Sequence, residues 1–235
     1  VATTGPEELA ALAGAGLSDR YLRALRAFPR ADGAFKVDWA IAGPVPWRAR
    51  EACRAGTVHV GGQVDELERQ VAERRSGRFP QHPFLLVGQQ SLADPSRAPA
   101  GRHTLWAYGL VPARVRWTDE RDAVADRYEH EIERHAPGFR ALILARAVHD
   151  PRDLERHDRN LVGGDVTGGA NDLVHVVRRP TLPGHTTPVA GLVLGSASTP
   201  PGGGVHGACG ANAARALLRA RGRRGARRPS APGPR

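Results

Sequence analysis

The chain has 235 residues, of which 40% are hydrophobic and only 5% aromatic. That is enough for one large domain or two small ones, with a core drawn from Val, Leu and Ala. The formal net charge is +10, much of it in the last residues, and no apolar run is long enough to cross a bilayer. The first residues, VATTGPEELAALAGAG, have neither the basic start nor the apolar stretch of a signal peptide. Cys53 and Cys209 are far apart and outside any CxxC, so no disulfide framework is expected and a reducing, cytoplasmic setting is the default. There is no methionine and the chain starts at Val1, which reads as a fragment or an unusual start.

Thr4-Gly5-Pro6-Glu7 has capping-box spacing ahead of Leu9 and Leu12, which predicts a helix. Ser18 is placed to cap a second helix carrying Tyr21, Leu22, Leu25 and Phe28 at helical spacing. The period then changes to two. Phe35, Val37, Trp39 and Ile41 alternate with Lys36, Asp38 and Ala40, the pattern of a half-buried strand. Further strands are expected at residues 57–60, 83–91 and 103–112. Helices are expected at residues 64–77 and 119–135, the second with Val124, Tyr128 and Ile132 on one stripe. Residues 141–148 read equally as strand or helix. Residues 173–177, LVHVV, read as a strand, and residues 191–197, GLVLGSA, as another that leads through a glycine turn into a helix from Cys209. From Arg219 onward the composition is Arg, Gly, Pro, Ala and Ser without apolar periodicity, and disorder is expected. Strands separated by long connections that hold helices favour an α+β fold with a mixed or antiparallel sheet. No internal repeat is visible.

Several stretches invite a functional reading. HEIERH, residues 130–135, suggests zinc, but its histidines are five apart and so roughly 140° from each other around a helix; a solvated face is the simpler account, and no metal is expected. His59, His103 and His175 have no ligand partner at a suggestive spacing. In LVGGDVTGG, residues 161–169, Asp165 between glycines fits either a backbone that approaches a ligand or a tight turn with the carboxylate bonding locally. Cys209 lies near a helix start, where a thiolate would be favoured, although a small packing residue explains it as well. Gly202 to Gly207 match G-x-G-x-x-G literally. A dinucleotide fingerprint needs the first glycine at a strand end and a second strand ending in an acidic residue about 20 residues on. Here a proline-containing connection intervenes and the arginine-rich tail takes the place of the second strand. The stretch can still offer helix-start amides to an anion. The tail itself could contact nucleic acid, but no aromatic residue interleaves its arginines for stacking.

At this point a family comes into view. TPVAGLVLGSASTPPGGGVHGACGANAARALL, residues 187–218, resembles the C-terminal FAD-binding segment of phytoene-desaturase-like flavoproteins, within the amine-oxidase superfamily of FAD-dependent oxidoreductases. FKVDWAIAGPVPW (35–47), AGTVHVGG (55–62), VGQQS (87–91), PAGRHTLWAY (99–108), APGF (136–139) and VGGDVTGG (162–169) resemble its substrate-domain segments in the same order. The likeness covers nearly all of residues 33–218. It implies a helical connector over residues 1–30, a substrate-binding domain over 31–158, a return to the FAD-binding domain over 159–218, and a basic tail over 219–235. The C-terminal strand, glycine turn and helix would then belong to an incomplete Rossmann-like domain.

The resemblance implies FAD as cofactor. Gly195, Ser196 and Ala197 would lie near its pyrophosphate and ribityl chain. Gly204, Val205 and His206 would approach the isoalloxazine, where helix-start amides stabilise negative charge on the reduced flavin, and Gly203 and Gly207 would also contact the cofactor. It implies hydride transfer from an organic, apolar or small substrate, and names no catalytic acid or base. Family members begin with a Rossmann fingerprint that this sequence lacks, so the chain reads as the C-terminal portion of such an enzyme, inactive alone. A missing N-terminal half or a second chain would be its partner, and nucleic acid is not expected to be. The other readings are an arginine-rich nucleic-acid-binding protein and a non-catalytic remnant.

Overall fold

The computed structural model describes residues 1–112, 115, 117, 120–182 and 184–225. The chain forms two compact units, one of residues 1–31, 159–161 and 165–235 and the other of residues 32–158 and 162–164.

The first unit opens with α1 (Pro6–Ala13) and α2 (Asp19–Arg26). The capping box expected at Thr4 does not form. Gly5 is the N-cap, it has no side chain to bond, and its own N–H donates to Asn160 Oδ1 at 2.7 Å. At α2 the cap is the expected one, with Ser18 Oγ accepting from the Tyr21 N–H. Leu9, Leu17, Tyr21 and Leu25 form a small core with Leu194.

The second unit is built on one antiparallel sheet. Its elements are β1 (Gly33–Ile41), β2 (Thr57–Val60), α3 (Val64–Arg75), β3 (Leu85–Gly88), α4 (Gln90–Ala93), β4 (His103–Val111), α5 (Glu120–His135), α6 (Phe139–Leu142), β5 (Ile143–His149) and α7 (Pro151–His157). The strand order is β2-β3-β4-β1-β5, with every neighbouring pair antiparallel. The period of two on β1 buries Phe35, Val37, Trp39 and Ile41 on one face, where Leu105, Ala107 and Val111 of β4 join them. Val124, Tyr128 and Ile132 of α5 belong to the same core. Phe35 is held between two rings, stacked on Trp117 at 5.4 Å and edge-on to Tyr128 at 5.4 Å; such pairs add to plain burial. Trp39 Nε1 donates to the buried Glu129 carboxylate at 3.1 Å, which satisfies the indole inside the core. The α+β fold expected from the sequence is the fold observed, and its sheet is antiparallel throughout.

Five local readings are corrected or resolved. Residues 83–91 pair only over β3, because Gln90 starts the short helix α4. Residues 141–148 divide, with α6 ending at Leu142 and β5 starting at Ile143. Residues 173–177 are not a strand but a helix, α8 (Leu173–Val177), started by Asp172, whose carboxylate accepts from the Val174 and His175 amides at 3.0 Å each. A five-residue run with four apolar residues suits either state, and the cap decided it. Residues 191–197 form no strand of a sheet. Thr186 and Val193 make an antiparallel bridge, and Ala2 and Leu194 a parallel one. The strand of the expected Rossmann-like element is thus reduced to a pinned segment with Val193 and Leu194 buried. The last helix, α9 (Ala208–Gly225), extends through residues 219–225, where disorder was expected; residues 226–235, the rest of the basic tail, lie outside the described residues.

Candidate functional site

The glycine turn of the first unit rests on a scaffold made by Asp165 and Arg179. Asp165 is buried, and its carboxylate accepts from the Thr167 amide (2.8 Å), the Thr167 hydroxyl (2.8 Å), the Gly168 amide (3.1 Å) and the Ala31 amide (3.1 Å). Of the two readings of this loop, the structure shows the local one: the carboxylate holds a turn together. Gly169 is needed there twice over. Its φ is +121°, and a Cβ on it would stand 2.0 Å from the Phe28 ring.

Arg179 is fully buried, at 0% exposure. Its guanidinium donates to the carbonyls of Ala197 (3.1 Å), Ala170 (2.8 Å), Thr167 (2.8 Å) and Gly169 (3.3 Å), and to Asn171 Oδ1 (2.9 Å). It also lies 5.6 Å from the Phe28 ring centroid. Burial draws its basicity below the usual arginine range, and the Asp165 carboxylate offsets part of that. Sequence reasoning passed over Arg179. The signal was faint: an Arg-Pro pair after the apolar run LVHVV, with no acidic residue beside it in sequence.

The residues implied as FAD ligands fall at the two ends of one turn held by this scaffold. Gly195 donates its N–H to Ala2 at 2.7 Å, and a Cβ on it would stand 3.0 Å from the Ala213 Cβ. Close approach of α9 therefore accounts for that glycine. The Ser196 carbonyl accepts from the Thr199 amide at 2.9 Å and hydroxyl at 2.7 Å, and the Ala197 carbonyl accepts from Arg179. A Cβ on Gly203 would stand 2.9 Å from the Thr167 carbonyl oxygen, so this glycine too is a packing residue. The Cys209 thiol is buried and faces the carbonyls of Thr199 (3.3 Å) and Gly202 (3.2 Å), which suits the packing role.

The next four residues differ. Gly204, Val205, His206 and Gly207 are exposed. The amides from Gly203 to Gly207 have no hydrogen-bond partner among the described residues. They precede an 18-residue helix, whose N-terminus adds a partial positive charge. A ligand with several acceptor oxygens fits this edge, because its donors are present and uncommitted.

In the second unit, the sheet face opposite the core carries a feature that sequence reasoning missed. Register places Lys36 of β1 beside Tyr108 of β4 and His149 of β5, and Asp38 beside Trp106 and Ala147. The Trp106 indole lies across Gly88, where a Cβ would come within 2.3 Å of the ring. Its plane is within 17° of that of Tyr108, at 6.1 Å between centroids. Lys36 and Asp38 form an ion pair, and His149 Nε2 lies 3.4 Å from Asp38 Oδ2. A cavity of about 540 Å³ borders this face, lined in part by Asp38, Ala40 and Thr104. The alternation that revealed the buried face of β1 also defined this outer one, and Trp106 and Tyr108, two apart on β4, were the signal for its aromatic half.

The histidines of HEIERH are separated, as their spacing required. His130 Nδ1 is 2.7 Å from the Asp126 carbonyl, while His135 and His82 both approach the buried Glu131, at 3.4 and 3.1 Å. Among the described residues no group of three His, Cys, Asp or Glu is placed to hold a metal ion, and no helix is long and apolar enough to cross a membrane.

No known protein family's sequence profile matches the chain. Over 173 residues it is 35% identical to the mouse "Pyridine nucleotide-disulfide oxidoreductase domain-containing protein 2" and 34% identical to the rat protein of the same name. Each alignment covers 69% of this chain and 30% of the relative. The chain thus spans under a third of the length of the curated relatives it matches. The crystal structure of an oxidoreductase from Methanosarcina mazei superposes with a TM-score of 0.47 at 17% identity, over 88% of this chain and 40% of that one.

Proposed function

We propose that this chain serves a flavin-dependent oxidoreductase of the phytoene-dehydrogenase-like kind, in which FAD takes electrons from an organic, largely apolar substrate. The observation that carries the reading is the run of uncommitted amides from Gly203 to Gly207 at the start of α9. The similarity over 173 residues to proteins named for an oxidoreductase domain supports it. Gly204, Val205, His206 and Gly207 would hold the edge of the isoalloxazine, with Gly195, Ser196 and Ala197 nearer the pyrophosphate and ribityl chain. When bound, the flavin supplies the two-electron acceptor. The chain supplies position: the Asp165–Arg179 scaffold fixes the turn, and the amides offer a preorganised positive edge that costs no reorganisation. Residues 31–158 are the substrate-binding part in this reading, and the flat aromatic floor of Trp106 and Tyr108 suits a planar or conjugated molecule.

The test is a chimera of the mouse protein in which the 173 matched residues are replaced by those of this chain. The purified, folded chimera is expected to show flavin absorption bands, and Gly204→Val with Gly207→Val to lower flavin occupancy about tenfold. A folded chimera without flavin bands overturns the proposal. The present chain alone is expected to bind FAD more weakly than about 1 µM, because a few amides worth about 1 kcal/mol each offset little of the cost of ordering a long ligand. Sub-micromolar binding in a fluorescence titration, with a cooperative melt, would show that the chain completes the pocket by itself or with a second copy.

A further inference from the structure

A feature of the first unit that the flavin reading leaves unused is a cavity of about 680 Å³ between α2 and the segment that starts with α8. Its size falls in the range of small-molecule sites, roughly 300–1,000 Å³. None of residues 195–207 lines it, so it is a different place from the glycine turn. Phe28, Pro180, Tyr21 and Thr181 are its buried lining residues. Ala24, Val174 and Leu182 extend the apolar part of its wall.

Two features of this cavity go beyond an apolar hollow. First, its charge has one sign. Arg20, His175 and Arg178 line it, and no carboxylate does among the described residues. His175 is paired with Asp172 at 2.6 Å, but Arg20 and Arg178 have no ion-pair partner among the described residues. Second, the hydroxyls of Tyr21 and Thr181, on residues only 9% and 7% exposed, face each other and make no well-formed hydrogen bond to any other described residue. Two buried hydroxyls that pair with each other still leave one donor without an acceptor, which is rare in native proteins and calls for a reason. An acceptor delivered by a ligand is such a reason.

We propose that this cavity is a binding site for a small organic anion with an apolar body, of the class of a medium-chain carboxylate. The two arginines supply the attraction for the anion, Phe28, Ala24, Val174 and Leu182 take the hydrocarbon, and the Tyr21–Thr181 hydroxyl pair has one donor left for it at the buried end. The inference does not rest on the flavin reading and survives its failure.

Decanoate, decanol and decylamine, titrated calorimetrically into the full chain, test it. Decanoate is expected to bind one to one, with the neutral and cationic analogues at least about tenfold weaker. The exposed pair Arg20→Gln and Arg178→Gln should weaken decanoate about tenfold and leave the melting temperature unchanged. The pair Tyr21→Phe and Thr181→Val should also weaken it about tenfold without loss of stability, since a purely structural role would leave affinity untouched. Excess FAD should not displace decanoate. Equal binding of decanol and decanoate, unchanged affinity in the arginine variant, or displacement by FAD would each overturn the proposal.

Discussion

Replacing Arg179 by methionine tests the scaffold beneath the glycine turn. The substitution keeps most of the volume and removes a guanidinium that bonds four carbonyls and one side-chain oxygen. Hydrogen bonds to a charged group are worth about 1.5–3 kcal/mol each, but five bonds from one group are not additive. Each buried oxygen left without its donor costs about 1–3 kcal/mol, and with several such oxygens an overall loss of about 3–5 kcal/mol is expected. At about 1.4 kcal/mol per tenfold, amides held by the scaffold should exchange with solvent roughly 10²- to 4 × 10³-fold faster. The reporters are Thr167 and Gly168, bonded to Asp165, and Ala170, bonded to the Pro29 carbonyl. All four tryptophans lie within residues 32–158, so an unchanged tryptophan-fluorescence melt serves as the internal control. Arg179→Lys should fall between wild type and methionine, because an ammonium keeps the charge without the planar fork of donors. Exchange within about threefold of wild type in both variants would refute the reasoning, and the glycine turn would then have to be held by the chain's other contacts.

Two further outcomes concern the second unit. Burial alone would raise the Asp150 carboxyl, but hydrogen bonds from the Arg152 side chain and from the Asp153 and Arg152 amides outweigh it and hold the group below the usual aspartate range. A depressed carboxyl contributes stability that is present above its unfolded value of about 3.9 and lost as pH falls through the folded one; urea melts at pH 6, 4 and 3 should show a loss of about 1 kcal/mol at the acid end that Asp150→Asn lacks, and parallel curves for the two proteins would contradict it. Gly88→Ala would drive a Cβ to within 2.3 Å of the Trp106 indole, so the ring must leave the sheet; a red-shifted tryptophan emission and a cost of about 1–3 kcal/mol are expected, and an unchanged spectrum would show that the indole does not lie across Gly88.

Period made much of the second unit legible in the sequence, and punctuation the start of α2 in the first. The alternation from Phe35 to Ile41, the stripe of Val124, Tyr128 and Ile132, and the Ser18 cap are local patterns whose burial follows from repeat alone. The likeness to flavoproteins likewise came from residue order. Where the local signal was ambiguous, the tertiary structure decided. LVHVV could pair or coil, and the Asp172 carboxylate closing on two amides made it α8. GLVLG lacked sheet neighbours, so single bridges to Ala2 and Thr186 pinned it in place of a ladder. The glycine cluster that looked uniform in the sequence divides in space: Gly195 and Gly203 are spent on contacts with Ala213 and Thr167, while the amides through Gly207 remain uncommitted. Arg179, unremarkable in a chain rich in arginine, became the scaffold's centre only when residues 167–171 and Ala197 came around it. Sequence by itself determined which segments repeat with a helical or strand period, because that depends on neighbours three or two residues apart. Which polar groups are consumed by the fold and which are left for a ligand was decided only by tertiary structure, because a hydrogen bond between residues eighteen positions apart leaves no periodic mark in the chain.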